Sequence, residues 1–367
     1  MERPVRIGII GCGQIAQIHL QNYSRISGVE IVACADIDAA AAESTAATFS
    51  IPNVYYRTHE LLQRDDLDAV DVCLHNNLHM PATVAALERG FHVYCEKPMA
   101  GSYRDAVTML ECAREKGKML HIQLGFLYSD ETRAAKELID SGLLGEIYHA
   151  RSTGFRRRGR PYVDGYGKAP FVQKAIAGGG ALYDMGVYHI SQLLYLLGNP
   201  KVERITGKTY QKLPMDEERR RTAGYSVEEL AMGFVRFEGD LTMDIIEAWA
   251  IELDGFEGSS LVGTKGGIRL QPFGYYHSVG DLDLNATANL SGARFRWNSL
   301  RGEGELFGSS QQHWIAALQG RVSLLPTAEI ALNTMLISEG IYLSAERGEE
   351  VTAEEVKALS KSTALPL

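Results

Sequence analysis

Long apolar runs are missing from this chain of 367 residues: none approaches the roughly 18–20 needed to cross a bilayer. No secretory leader is expected either. The short stretch Ile7–Ile10 is interrupted at Gly11 with no small-residue cleavage site after it, so a cytoplasmic protein is expected. Cysteine is scarce. The five residues Cys12, Cys34, Cys73, Cys95 and Cys112 are odd in number and widely spaced, and no CxxC occurs. That argues against a disulfide framework or a zinc knuckle, and leaves them as small buried hydrophobes. Positive charge is in deficit: 37 Lys and Arg face 46 Asp and Glu, a net charge of −9. A nucleic-acid partner or an anionic membrane surface would need the opposite balance. No HExxH, no Cys/His cluster and no carboxylate grouping at metal spacing occurs, so no metal is expected. Nor is there a G-x-S-x-G elbow for acyl transfer.

What is present fits an ordinary globular chain, 45% hydrophobic and 23% charged. Its length points to two domains. Glycine is slightly rich, 37 residues, which suits tight turns and close approach of ligand to backbone. Over the first 125 residues, short unalternated apolar runs (Val5–Ile10, Glu30–Ala35, Ala69–Leu74, Phe91–Cys95, Met119–Leu124) alternate with helical patterns at 14–26, 38–49, 81–89 and 102–117. Strands without alternation are buried on both faces, so βαβ units and a parallel sheet follow. Beyond 125 the pattern changes. Helices are expected at 130–142, 181–197 and 326–346. The runs Val202–Tyr210, Gly233–Phe237, Thr242–Ile251 and Gly267–Leu270 alternate as in a sheet solvated on one face, and 273–310 resists assignment. The expected architecture is α/β. A doubly wound Rossmann domain spans 1–125. An α+β domain with an open-faced, mainly antiparallel sheet spans 126–367 and serves substrate binding and oligomerisation.

Gly11-Cys12-Gly13-Gln14-Ile15-Ala16 follows an apolar run and opens a helix. In that context G-x-G-x-x-A is a dinucleotide loop. Gly11 makes the turn, Gly13 admits the pyrophosphate, Ala16 lets helix and strand pack, and the helix N-terminus faces the phosphates. Asp36 lies 20 residues after Ala16 at the end of the second run. Its carboxylate can accept both ribose hydroxyls and would repel a 2′-phosphate. No Arg follows it, so NAD is expected rather than NADP.

Two further motifs make the chain resemble the Gfo/Idh/MocA oxidoreductases, the family of glucose–fructose oxidoreductase and inositol dehydrogenase. One is Val72-Cys73-Leu74-His75-Asn76-Asn77-Leu78-His79-Met80-Pro81 leading to Glu96-Lys97-Pro98. The other is Gly178-Gly179-Gly180-Ala181-Leu182-Tyr183-Asp184-Met185-Gly186-Val187-Tyr188-His189. The resemblance implies NAD(P) and reversible oxidation of sugar or polyol hydroxyls. It also implies cofactor contacts at Gly11, Gly13, Gln14, Ile15, Asp36, Ile37, Leu74, Asn77, His79, Glu96 and Lys97. There are departures. Tyr188 stands four residues after Asp184, where many members have His, and an Arg that often follows the fifth strand is missing from Gly125–Ser129.

Alcohol oxidation needs a group to take the hydroxyl proton as hydride leaves. Lys97, at the carboxyl end of a parallel strand, is the first candidate. Asp184 and Tyr188, four apart, share a helix face, whereas His189 lies about 140° round from Asp184 at 100° per residue. That favours Tyr188 as proton-transfer partner and Asp184 as the group that orients substrate. A helix that starts or kinks at Gly186 would reverse the order of Tyr188 and His189. Arg151, Arg156, Arg157, Arg158 and Arg160 crowd one loop, with Tyr166 close behind. If 156 and 158 lie in a strand they share a face, and with Tyr166 they could bind an acidic sugar. The expected activity is NAD-dependent oxidation or reduction of a secondary hydroxyl of a sugar or glycoside. The rivals are an NAD-requiring glycosidase (for a sulfoquinovoside or uronide, by transient oxidation, elimination and re-reduction) and a non-enzymatic NAD-binding regulator. A homo-oligomer, dimer or tetramer, is expected from an uncovered sheet face.

Overall fold

In the computed structural model, which describes residues 3–367, the chain forms two compact units. The first holds a six-stranded sheet: β1 (Val5–Ile10), β2 (Val29–Ala35), β3 (Val54–Tyr55), β4 (Ala69–Val72), β5 (His92–Cys95) and β6 (Leu120–Ile122). Every pairing is parallel, in the order β3-β2-β1-β4-β5-β6 of the doubly wound dinucleotide fold. Helices Gln14–Tyr23, Ala39–Phe49, Asn76–Glu88 and Tyr103–Lys116 make the crossovers. Local chemistry sets their ends. The Asp38 carboxylate caps the second, Ser102 caps the fourth, and Gly117 closes it at φ +61°.

The third helix starts at Asn76, not at Pro81 as expected. Proline usually opens a helix because it has no N–H to donate. Here it sits in the second turn, and the Asn77 carbonyl it leaves unmatched accepts the Leu365 N–H at 3.0 Å. The C-terminal segment therefore repairs the helix.

That contact belongs to a larger correction. The first unit ends at Gln123 but regains Gly302–Glu329 and Ser362–Leu367, so the second is not the unbroken block 126–367. The returning segment docks on the sheet through buried polar groups. His121 meets Ser310 Oγ and Thr327 Oγ1, both at 3.0 Å, and Tyr94 donates to Ser310 at 2.8 Å.

The second unit holds nine strands: β7 (Ile147–Phe155), β8 (Val202–Tyr210), β9 (Leu230–Phe237), β10 (Thr242–Ala248), β11 (Ser260–Gly263), β12 (Gly267–Arg269), β13 (Gly274–Val279), β14 (Leu282–Ala286) and β15 (Val351–Thr352). The order is β14-β13-β12-β11-β7-β10-β9-β8-β15. Only β7 and β10 run parallel. Along β9, Ala231, Val235 and Phe237 are buried while Met232 and Arg236 are exposed, so one face is left uncovered. The unassigned stretch 273–310 supplies the β13–β14 hairpin and the helix Leu290–Leu300, which is pinned by Trp297 Nε1 donating to Glu137 at 2.8 Å. The helix expected over 181–197 is wound in two ways. Leu182–Gly186 is a π-helical turn, and Val187–Leu196 is α-helical.

Candidate active site

In the first unit the glycine loop joins β1 to the helix Gln14–Tyr23. Gly11 has φ +94°, and a Cβ there would lie 2.3 Å from the Cys73 carbonyl oxygen, so only glycine fits. Gly13 faces open space: a Cβ on it would meet nothing within 4 Å. No side chain caps this helix, so its first N–H groups stay available to an anion. Asp36 ends β2 with one carboxylate oxygen on Cys12 N–H (2.7 Å) and the other on Asp38 N–H (2.9 Å). Each oxygen keeps a lone pair for a ribose hydroxyl. Ile37 beside it is 80% exposed. An open loop, an uncapped helix and a tethered carboxylate fit a dinucleotide, and Gly11, Gly13, Gln14, Ile15 and Asp36 are the residues that could hold it.

The other turns bring a surprise. Glu96 and His79 face inward. Glu96 is buried, with Oε1 on His19 Nε2 (2.8 Å) and Oε2 accepting the Lys97 N–H (3.0 Å). His19 Nδ1 lies 2.9 Å from Asp71, which also accepts from Tyr23 at 3.0 Å. Burial alone would lower the His19 pKa, but Asp71 and the remaining hydrogen bonds outweigh it and hold the imidazole well above its ordinary value. Burial would likewise raise Glu96, yet the His19 bond and charge, with Lys97, keep it below the carboxylate range. A buried imidazolium between two carboxylates thus anchors the turn that presents Lys97. Cys73 belongs to this cluster, donating to Asp71 at 3.4 Å, with its thiol pushed up to about 12 chiefly by burial. It is not merely a small hydrophobe. His19, Asp71 and Cys73 place three donor atoms within 4.8 Å of one another, a grouping the sequence does not reveal. Each is engaged in the hydrogen bonds just described.

His79 is fully buried, its ring nitrogens on the carbonyls of Pro98 (2.8 Å) and Leu74 (3.0 Å). It ties two strand-end turns together and presents no face to a ligand. Asn77 is also buried, its side chain accepting from Thr363 at 3.1 Å. Leu74 and Lys97 remain partly exposed at these turns.

In the second unit the glycine-rich turn is fixed by buried Glu228, which accepts from Gly180 N, Leu182 N and the Tyr342 hydroxyl at 2.9–3.0 Å. Asp184 follows, accepting from Trp249 Nε1 at 2.9 Å with Arg156 3.9 Å away. Arg156 also donates to the Tyr166 hydroxyl, which in turn donates to Gly159 O. Tyr166 is pushed up to about 12, by burial first, with Arg156 opposing. So Arg156 and Tyr166 do join Asp184.

Arg158 does not. Strand β7 ends at Phe155, so the alternation that would align 156 with 158 is already broken. Arg158 bridges to Ala250 instead, and borders a cavity of about 380 Å³ with Arg160, Asp164 and Arg219. The other arginines disperse as well: Arg151 to Asp244, Arg157 to Glu252, and Arg160, 2% exposed, to Asp164 and Glu229.

The helix-face argument separating Tyr188 from His189 also yields. A π turn pairs residues five apart, which draws His189 toward the row of Asp184. Both rings meet Phe126, Tyr188 stacked at 5.1 Å and His189 edge-on at 5.4 Å. His189 Nδ1 lies 3.0 and 3.1 Å from the two oxygens of fully buried Glu247, which also accepts from Ser152 at 3.0 Å. Sequence reading missed His19, Asp71, Trp249 and Glu247. The signal available for Asp71 and Glu247 was a lone acid inside an apolar strand, Ala-Val-Asp-Val and Ile-Ile-Glu-Ala-Trp.

Comparison with known proteins agrees with this geometry. Residues 5–124 match the family described as "Oxidoreductase family, NAD-binding Rossmann fold", and residues 132–269 match the "GFO/IDH/MocA C-terminal domain". The D-glucoside 3-dehydrogenase of Escherichia coli K12 is 29% identical over 357 residues, covering 95% of this chain and 97% of that protein. The D-apiose dehydrogenase of Paraburkholderia graminis is 24% identical over 364 residues, covering 95% and 90%. Among solved structures, levoglucosan dehydrogenase in complex with NADH and levoglucosan superimposes with TM-score 0.78 at 20% identity, covering 96% and 100%. An Agrobacterium radiobacter oxidoreductase in complex with NAD+, L-tartaric acid and magnesium gives 0.76 at 21%, covering 96% and 99%. With an NAD-binding domain and the family's own C-terminal domain both matched, the chain belongs to the Gfo/Idh/MocA oxidoreductases.

Proposed function

We propose that the protein is an NAD-dependent dehydrogenase acting reversibly on a secondary hydroxyl of a neutral glucoside. The observation that carries this is Asp184, a partly exposed carboxylate fixed by Trp249 Nε1 at 2.9 Å, with the candidate proton-transfer residues Tyr188 and His189 following it in the same helical stretch. Such a group accepts hydroxyl hydrogens of a sugar and orients the ring. Similarity over nearly the full length to a D-glucoside 3-dehydrogenase supports this substrate class. Bound NAD would accept the hydride. Lys97 and Tyr188 would take and hold the hydroxyl proton, with His189, next to Tyr188 in sequence, as the further acid–base group.

A neutral sugar is preferred over an acidic one because Arg156 is already answered. Its guanidinium lies 3.9 Å from Asp184 and 5.4 Å over the Tyr166 ring. The uncovered sheet face, with Met232 exposed, belongs to the same proposal as a surface for association of copies. Light scattering that finds only monomers removes that part.

The experiment is incubation of the purified protein with NAD and methyl glucoside, glucuronide and sulfoquinovoside, following NADH and the oxidised sugar. NADH formed on the neutral glucoside supports the reading. Release of the aglycone without net NADH replaces it with the redox-neutral glycosidase, and inertness toward all three overturns it.

A further inference from the structure

We propose that Glu247 is a positioning residue, which holds His189 by Nδ1 and reserves Nε2 for proton exchange with substrate. This rests on His189 belonging to the acid–base machinery proposed above. Four observations carry it.

The carboxylate of Glu247 is 0% exposed, and among the described residues its only cationic partner is His189. A buried carboxylate without a partner is costly, so this arrangement is stable only if the imidazole donates to it. Second, the ring addresses both oxygens at once, at 3.0 and 3.1 Å, while Ser152 donates to the same carboxylate at 3.0 Å. Neutral histidine carries one N–H. Committing Nδ1–H to Glu247 selects the tautomer with an unprotonated Nε2, which has no hydrogen-bond partner among the described residues.

Third, the neighbouring strand is bare where the pair sits. Gly154 is in register with Glu247, and a Cβ on it would fall 2.2 Å from His189 Cε1 and 2.3 Å from Glu247 Oε2. Fourth, Glu247 stands two residues before Trp249, whose indole holds Asp184. One stretch of chain therefore steadies both groups, His189 through Glu247 and Asp184 through Trp249.

The titratable groups facing His189 are few. Glu247 approaches from β10, Tyr188 is adjacent on its own helix, and Asp184 with Arg156 lies a turn earlier. Burial pulls the His189 pKa down, but the Glu247 charge and hydrogen bond outweigh it and leave it raised. Replacing Glu247 by Gln keeps shape and removes the charge, so burial then acts alone.

The test is Glu247→Gln, read by NMR titration of His189 in the NAD-bound protein, with His189→Gln identifying the resonance. The expected result is a fall of the His189 pKa by at least about one unit. The acid limb of glucoside oxidation should move down by the same amount, since oxidation needs the unprotonated ring. The alkaline limb of the reverse reduction, which needs the protonated ring, should move with it. KM for NAD should stay unchanged. Glu247→Asp, with a shorter arm, should give a smaller shift, and decides the matter if the Gln variant does not fold. An unmoved His189 titration overturns the proposal, whatever happens to activity. A moved titration with no sugar turnover in the parent protein upholds the positioning role and sinks the dehydrogenase reading instead.

Discussion

The two units build their functional groups in opposite ways. In the first, the groups that would meet the cofactor sit within three residues of where parallel strands end: Gly11 and Gly13 after β1, Asp36 after β2, and Lys97 just beyond β5. Backbone geometry places them, and each motif is one local run of chain. In the second, the groups around Asp184 and His189 depend on partners 46 to 65 residues away. Asp184 needs Trp249, His189 needs Glu247, and the glycine turn needs Glu228. The first kind of site tolerates change around it provided the turn survives. The second is only as good as its supporting side chains.

The largest effect expected on this view is a stability loss in the first unit, from a residue its motif does not contain. Replacing His19 by Gln leaves Asp71 and Glu96 buried without their cation, which typically costs about 3–5 kcal/mol. The loss should depend on pH. His19 has a raised folded pKa, so its contribution is fully present below the unfolded value near 6.5 and fades as pH rises through the folded pKa. Glu96 has a lowered pKa, so its contribution is present above about 4.3 and fades as pH falls. Denaturant midpoints of parent and variant should therefore differ most between about pH 4.5 and 6.5. A gap independent of pH would mean the cluster is not ionised.

Next in size is Lys97→Met. The phosphate loop is untouched, so NAD should bind as before while turnover falls by about 10²–10⁴ or more, the range of a proton-transfer group. Equal loss of NAD affinity and rate in a titration and kinetic assay would make Lys97 a cofactor ligand only.

These cases show what was legible. The parallel sheet, the glycine loop and the places of Asp36 and Lys97 just after strands could be read because periodicity and motif are local properties. The helix beginning at Asn76 could not, since its Pro81 is tolerated only through Leu365, nearly 300 residues later. The return of Gly302–Glu329 to the first unit hangs on His121 meeting Ser310 and Thr327, a match of buried polar groups that no window of sequence displays. In the second unit Asp184 and His189 were visible as residues, but their roles were ranked on an ideal 3.6-residue helix, and the π turn at Leu182–Gly186 breaks that assumption.

A smaller effect tests the dependence of Asp184 on its remote partner. Trp249→Phe keeps the buried ring and deletes the N–H that Asp184 accepts at 2.9 Å. A hydrogen bond to a charged group is worth about 1.5–3 kcal/mol. Part of that returns through water, so a rise of about tenfold in KM for the glucoside is expected, with NAD affinity unchanged. An unaltered KM would show that Asp184 is positioned by its own helix alone, and the contrast between the units would weaken.

The smallest effects concern the two arginines that sequence alternation would have paired. Arg156 lies 3.9 Å from Asp184 with its side chain 43% exposed, and such half-exposed pairs contribute about 0–1 kcal/mol. Arg156→Gln should therefore raise KM for a neutral glucoside by no more than about fivefold. Arg158, exposed and turned toward the cavity shared with Arg160 and Arg219, should change it by less than about twofold on replacement by Gln. Side-by-side kinetics on glucoside and glucuronide separate the possibilities. If Arg158→Gln costs as much as Arg156→Gln, and both costs fall on the glucuronide, the two arginines act together on an anionic substrate. The break of β7 at Phe155 would then not decide which of them reaches the sugar. If only Arg156→Gln has an effect, and equally on both sugars, its role is to steady Asp184.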